Sequence, residues 1–240
     1  MKKLVFFFAA TILSSSVFSQ AKPDDKKSMI KLNLSSFATK GFGLQYEHKV
    51  AKRITVALGY SAIPKGNVAF QSVIESSIND TSVNIGGIQL GTSIITPEVR
   101  FYVGKRGAFH GFYFAPYARI SNYKMGFPID IRSTSKTVLF DGKLNNFTGG
   151  IMLGSNFKLS KSLYLDWWIL GASAGSAKGT LVAALPLTTS EQTTLKEQLD
   201  GLDIALTTIT SQVNANGATV RTSGTMFGLR GLGFNLGIRF

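Results

Sequence analysis

The feature that most constrains this chain is a recurring alternation of apolar and polar residues over about ten positions at a time, with no long apolar run after residue 20. A membrane-spanning helix needs ~20 consecutive apolar residues, so helical spans are excluded beyond that point. Period-two alternation puts successive side chains on opposite faces of a strand. The chain is hydrophobic at 44% of its positions, too apolar to remain disordered.

Eight segments carry the pattern. In 30–39, Ile30, Leu32 and Leu34 alternate with Lys31, Asn33 and Ser35. In 41–50, Phe42, Leu44 and Tyr46 oppose Gly43, Gln45 and Glu47. Segment 53–62 sets Ile54, Val56, Leu58 and Tyr60 against Thr55, Ala57, Gly59 and Ser61. Segment 95–104 sets Val99, Phe101 and Val103 against Glu98, Arg100 and Tyr102. In 110–122, Phe112, Phe114, Ala118 and Ile120 face away from Tyr113, Tyr117, Arg119 and Ser121. In 146–157, Phe147, Ile151, Leu153 and Phe157 face away from Thr148, Gly150, Gly154 and Asn156. Segment 163–172 opposes Leu163, Leu165, Trp167 and Ile169 to Tyr164, Asp166 and Trp168. The last segment places Leu232, Phe234, Leu236, Ile238 and Phe240 on one face.

The apolar faces carry no charge, while the polar faces mix charges with glycines and small residues. That division suits strands with lipid on one side and a narrow interior on the other, where small positions make room for Tyr113, Tyr117, Trp168 and Arg119. A membrane strand needs ~9–11 residues, and Lys or Arg facing lipid at mid-bilayer costs ~2–4 kcal/mol. The last apolar face is clean from Phe240 back to Leu232, and the next residue of that parity is Arg230.

The connections are unequal. Ala51-Lys52, Lys105-Arg106-Gly107 and Leu159-Ser160-Lys161 are short, and Lys40 alone joins the first two segments. Long insertions fall at 63–94, 123–145 and 173–224. Short turns at one end and long loops at the other are the layout of a transmembrane barrel. The expected fold is all-β: an eight-stranded antiparallel up-and-down transmembrane β-barrel over 30–240, with long external loops, the last containing a helix. Ten strands are the alternative, drawing two more from 68–92 (Val83, Ile85, Ile88, Leu90). The helix is expected in 173–224, where Thr188 and Glu191 have capping-box spacing. A stripe of Leu195, Leu199, Leu202, Leu206, Ile209 and Val213 follows at helical spacing, which Asp200-Gly201 could split.

The amino terminus reads as an export signal. Lys2 and Lys3 precede an apolar run, Leu4 to Leu13, and Val17-Phe18-Ser19 supplies small residues for cleavage before Gln20. Residues 1–19 are then a signal peptide and 20–29 a periplasmic tail. Loss of Lys2 and Lys3 takes the net charge from +13 to +11. The basic residues are dispersed except for Lys49, Lys52, Arg53, Lys105, Arg106, Lys158 and Lys161 at the short turns, where they would meet anionic headgroups. Nucleic acid is therefore not an expected partner.

An export signal, eight alternating segments and a terminal aromatic residue resemble the small outer-membrane β-barrel families of Gram-negative bacteria, the OmpA-like and OmpX-like "porin family" barrels. The resemblance covers 30–62, 95–172 and 225–240. Phe234, Leu236, Ile238 and Phe240 are similar to the carboxy-terminal signal read by the barrel assembly machinery. The resemblance implies an outer-membrane location, with outer-membrane lipid and that machinery as partners. No peptidoglycan-binding domain follows the barrel, unlike a full-length OmpA-type anchor.

Parity points Lys31, Glu47, Lys49, Glu98, Arg100, Arg119, Asp166 and Arg239 inward. An eight-stranded interior is just wide enough to be filled by side chains, and buried charges must be paired. An internal salt-bridge network is expected, with a narrow pore or anion-binding cavity as the alternative. No cysteine and two histidines leave no thiol chemistry and little for a metal. His48 and His110 fall near the inner end, away from the external rim where lipid-modifying enzymes of this architecture work. No cofactor, metal or catalytic residue is expected. The reading is a non-catalytic protein with a structural or surface-binding role. A small passive channel or ligand-uptake barrel, a lipid-modifying enzyme and a soluble lipocalin-like barrel are the alternatives.

Overall fold

The computed structural model describes residues 26–67, 87–131, 134, 136–202 and 205–240. The expected signal peptide lies outside them, as do Val83 and Ile85. Nine strands form: β1 (Ser28–Asn33), β2 (Phe42–Ala51), β3 (Ile54–Asn67), β4 (Gln89–Tyr102), β5 (Gly111–Asp130), β6 (Thr137–Lys158), β7 (Leu163–Ala184), β8 (Thr207–Asn214) and β9 (Gly217–Arg239). One helix, α1 (Thr189–Asp200), lies between β7 and β8. The strands make one antiparallel sheet in the order β1-β2-β3-β4-β5-β6-β7-β9-β8, and β1 also pairs with β9. The sheet thus closes into a ring through eight strands, and β8 hangs on the upper part of the β9 edge whose lower part holds β1. The expected count of eight is corrected to nine among the described residues.

The described outward positions match the expected apolar faces. Ile30, Leu44, Leu58, Ile95, Phe112, Ile151 and Phe234 are all exposed, and no Lys, Arg, Asp or Glu stands among the outward residues at this height. Glycines opposite bulky interior residues have a steric cause. A Cβ on Gly154 would collide with the Tyr113 ring, and one on Gly233 would meet Trp168 at 2.9 Å.

Four further expectations need correction. The first strand stops at Asn33 because short polar side chains capture the backbone. Ser36 N–H donates to Asn33 Oδ1 at 2.9 Å, and Ser36 Oγ–H donates to the Asn33 carbonyl at 2.7 Å. A 3-10 turn over Ser35–Thr39 follows and ends at Lys40, φ 57°.

Second, 123–145 and much of 173–224 are not loops. β5 and β6 continue to the pair Asp130↔Thr137, and β7 and β9 to Ala184↔Gly217. Alternation persists there with its polarity reversed: Val138 and Phe140 turn inward while Asp141 and Lys143 face out.

Third, the predicted stripe divides. Leu195 and Leu199 are buried on α1, which ends at Asp200 with Gly201 as its cap. Leu202 and Leu206 are exposed, and Ile209 and Val213 lie on β8. Fourth, Arg230 does not face outward. β7 bulges at Ile169, where Leu153↔Leu170 is followed by Gly154↔Trp168. Beside it Leu232 of β9 takes φ 53°, and the inward parity of β9 switches from odd to even above it.

Two apolar clusters result. The upper one gathers Val138, Phe140, Leu181, Leu195, Leu199 and Val220, with Ile209 and Val213 against it. The lower one gathers Met29, Tyr102, Phe109, Tyr113, Met152 and Tyr164.

Candidate functional site

The inward faces of β1 to β4 and β7 bring five of the predicted interior charges into one lattice. Arg100 on β4 is its centre. Its Nη1 lies 2.7 Å from Asp166 Oδ2 and 3.0 Å from Glu47 Oε2, and its Nη2 lies 2.5 Å from Glu98 Oε1. Lys31 pairs with Asp166 at 2.6 Å and also with Glu47. The remaining carboxylate lone pairs are filled by neutral donors. Tyr102 Oη–H and Thr55 Oγ1–H donate to Glu47 at 2.7 and 2.6 Å, and Tyr113 Oη–H donates to Asp166 Oδ1 at 2.8 Å. Gln45 Nε2–H donates to Glu98 at 2.9 Å and its carbonyl accepts from Arg100 at 2.8 Å.

Sequence parity missed one member. Arg230 reaches Glu98 Oε2 at 3.0 Å and lies over the Trp168 ring at 3.9 Å. The paired irregularity at Ile169 and Leu232 turns it inward, and alternation alone carries no signal for such a shift. With Arg230, three cations (Lys31, Arg100, Arg230) face three carboxylates (Glu47, Glu98, Asp166). Each carboxylate is ion-paired, so burial leaves no lattice charge uncompensated.

The other predicted charges lie apart. Arg239 sits at the end of the ring where the chain closes; its Nε donates to the Lys26 carbonyl at 2.8 Å and its Nη1 to Tyr164 Oη at 3.1 Å. Lys49 is half-buried with no ion pair among the described residues. Arg119 stands above the lattice and lines a chamber of about 340 Å³. Asn33, Gln45, Thr96, Trp168 and Asn235 share that lining. An apolar cavity of about 290 Å³ lies higher, between Met125, Phe127, Leu181, Leu202, Ile209 and Val220.

The predicted cap of α1 forms in full. Thr188 N–H donates to Glu191 Oε2 at 2.8 Å, and Glu191 N–H donates to Thr188 Oγ1 at 3.4 Å. Lys136 adds an ion pair to Glu191 at 3.2 Å. The Thr188 backbone donor, above all, holds the Glu191 carboxyl below its usual range. Of the predicted terminal signal, Phe234, Ile238 and Phe240 are exposed and Leu236 is half-buried. Phe240 exchanges backbone hydrogen bonds with Ser28 at 2.9 and 3.0 Å. His48 bonds Ser28 Oγ at 2.9 Å, and His110 Nδ1 lies 3.0 Å from the Ala108 carbonyl. Neither histidine has a carboxylate partner among the described residues. No cluster of three or more metal-ligating His, Asp or Glu side chains occurs among the described residues.

Fold and site together define an antiparallel sheet closed into a ring, apolar outside and ionic within. Residues 4–175 match the family described as "Protein of unknown function (DUF3575)", and the chain belongs to that family. No curated protein matches the sequence. Among solved structures, the β domain of the Bordetella autotransporter Brka is 11% identical, with 89% of this chain and 98% of that one covered and a TM-score of 0.33. That likeness is too loose to assign a role.

Proposed function

We propose that the chain is a Gram-negative outer-membrane β-barrel of the small OmpA-like and OmpX-like kind, without catalytic activity, with a sealed lumen and an external extension that acts as a structural or surface-binding platform. The observation that carries this reading is the reversal of polarity along β6. From Phe157 to Phe147 its outward residues include Leu153 and Ile151, and its inward ones Asn156, Thr148 and Asn146; above that, Val138 and Phe140 point inward and Asp141, Lys143 and Asn145 point out. Apolar side chains follow the non-aqueous phase, so the reversal marks where lipid gives way to water. Below it, an exposed apolar belt encircles the ring; a soluble monomer's largest apolar patch is ~300–600 Å² and local.

The ion lattice supports a sealed lumen, because its side chains fill the cross-section and are at most 1% exposed apart from Arg230. Outer-membrane lipid is the partner of the belt. The assembly machinery would read Phe234, Leu236, Ile238 and Phe240 from a strand whose end pairs with the start of the chain. The histidines lie beside the Ser28–Phe240 joint and the short turn before β5, which places them on the periplasmic side of the proposed barrel.

Fractionation of Gram-negative cells, gel migration with and without boiling, and planar-bilayer recording test the reading together. The expected result is outer-membrane recovery, heat-modifiable migration and no steady conductance. Recovery in the soluble periplasm would overturn the membrane assignment, and a steady open pore would overturn the sealed lumen.

A further inference from the structure

The lattice neutralises itself, and this isolates Arg119. Among the described residues its neighbours inside the ring offer no free carboxylate: Glu47, Glu98 and Asp166 are all committed to Lys31, Arg100 and Arg230. Among the described residues Arg119 makes no ion pair, and its Nε is buried without a hydrogen-bond partner. Arg119 is half-buried, and a guanidinium whose Nε is withdrawn from water with neither hydrogen-bond partner nor counter-charge is destabilising, so its place inside the wall calls for a partner that the described residues do not supply.

The surroundings are built for one. Arg119 lines the 340 Å³ chamber, within the ~300–1,000 Å³ range of small-molecule pockets. On its other side lies a recess of about 30 Å³ lined by Ser121, Asn146, Thr148 and Ser173. Trp168 Nε1 and Asn235 Oδ1, both on residues lining the chamber, are also buried without partners. A planar fork of N–H groups matches the oxygens of a carboxylate or phosphate two at a time.

There is also a way in. β1 leaves β9 at Asn33↔Asn235, and β8 joins β9 only at Thr207↔Gly224. Backbone bonds at Phe234 and Thr225 shorten the gap. Residues 226–233 still have no strand partner on that edge among the described residues. Leu229, Gly231 and the turn residues Ser35, Ser36 and Thr39 line the chamber at this gap. An unpaired strand edge at membrane depth is tolerated where it borders a polar cavity.

We propose that this chamber is a binding site for an oxyanion-bearing ligand, held by Arg119 and admitted through the gap beside residues 226–233 of β9. The shared chemistry is a carboxylate, or a phosphate with at most one ester bond, free or carried on a lipid. The site goes beyond the platform role and does not require it.

The test uses the full chain in non-ionic detergent micelles with Trp167→Phe, which leaves Trp168 as the single reporter of the two tryptophans. Fluorescence is followed while inorganic phosphate, dihexanoyl phosphatidic acid or dihexanoyl phosphatidylcholine is added. The expected result is a saturable change with phosphate, with the phosphatidic acid, or with both, and none with the phosphatidylcholine at equal concentration. Response to phosphate identifies a soluble oxyanion; response to the phosphatidic acid alone identifies a lipid headgroup. Arg119→Gln is expected to weaken binding at least about tenfold, and Arg119→Lys, which keeps the charge and loses the fork, by less. No saturable change with either phosphate probe overturns the proposal, as does unchanged affinity in Arg119→Gln. Should Arg119→Gln not fold, unchanged affinity in Arg119→Lys overturns it.

Discussion

The same strands enclose two opposite interiors. In the lower ring, β6 shows Phe147, Ile151 and Leu153 to the outside and lends Thr148 and Asn156 to an interior organised around Arg100. In the upper extension it shows Asp141 and Lys143 to the outside and buries Val138 and Phe140 against Leu181, Leu195 and Leu199. The inward parity of β6 is even at Thr148 and Asn156 below and at Val138 and Phe140 above; only the choice of side chain at each parity differs. Which face of a strand is apolar thus reports the solvent around it rather than the fold, and a continuous ladder can serve as ionic wall and aqueous-phase core in turn.

Single substitutions in each half can break this comparison. Arg100→Ala strands Glu47, Glu98 and Asp166 without their shared partner and is expected to destabilise the lower ring by ~3–5 kcal/mol. Urea unfolding in detergent micelles reads this; a smaller loss than that of an exposed lysine substitution would refute the lattice as the organising element. Leu195→Ala removes a fully buried side chain from the upper core, at an expected cost of ~2–5 kcal/mol. Proteolysis should then cut the extension while the lower ring survives, because the two cores share no residue.

Leu153→Arg places a charge on the belt proposed to face lipid, where the expected cost is ~2–4 kcal/mol. The same change at Lys143, written Lys143→Arg, should cost nothing measurable, since that residue already faces water. Equal effects at the two positions would remove the polarity boundary between them.

The smallest effects concern α1. Thr188→Ala should cost ~0.5–2 kcal/mol of helix stability, visible in far-ultraviolet circular dichroism. Glu191 has its folded pKa below the ordinary carboxylate value, chiefly through the Thr188 backbone donor. Its contribution is therefore fully present above the unfolded value, ~4.3, and fades as pH falls through the lower folded value. Glu191→Gln should flatten that acid limb; an unaltered limb would assign it to other carboxylates.

The lower ring was legible in the residues, and the upper region much less so. Alternation with an uncharged face identifies Ile30 to Leu34, Phe112 to Ile120 and Phe234 to Phe240 because the apolar parity runs there without exception. Above the belt, Lys124 and Lys143 interrupt the apolar parity, and the hairpin of β5 and β6 looks like loop unless the inverted set Met125, Phe127, Val138 and Phe140 is recognised. Ile209 and Val213 misled for a different reason: a spacing of four satisfies both the helical and the strand period. Asn216-Gly217, which overlaps the end of the two-residue connection Ala215-Asn216, was a turn signal that could have settled it. Arg230 was hidden because a bulge moves parity by one without altering composition. The ion lattice was anticipated as a set, and its partners were not, since strand adjacency across 53 or more residues separates Arg100 from Glu47 and Asp166.

The ring is sealed by a brief joint. β7 holds β9 from Leu163↔Ile238 to Ala184↔Gly217, whereas β1 holds it only from Met29↔Arg239 to Asn33↔Asn235. Because the first strand pairs with the last, a sheet that has formed without either has two bare hydrogen-bonding margins, each able to recruit a stranger. The finished wall keeps the mark of that order, since the seam where its two ends meet is also where few rungs hold it.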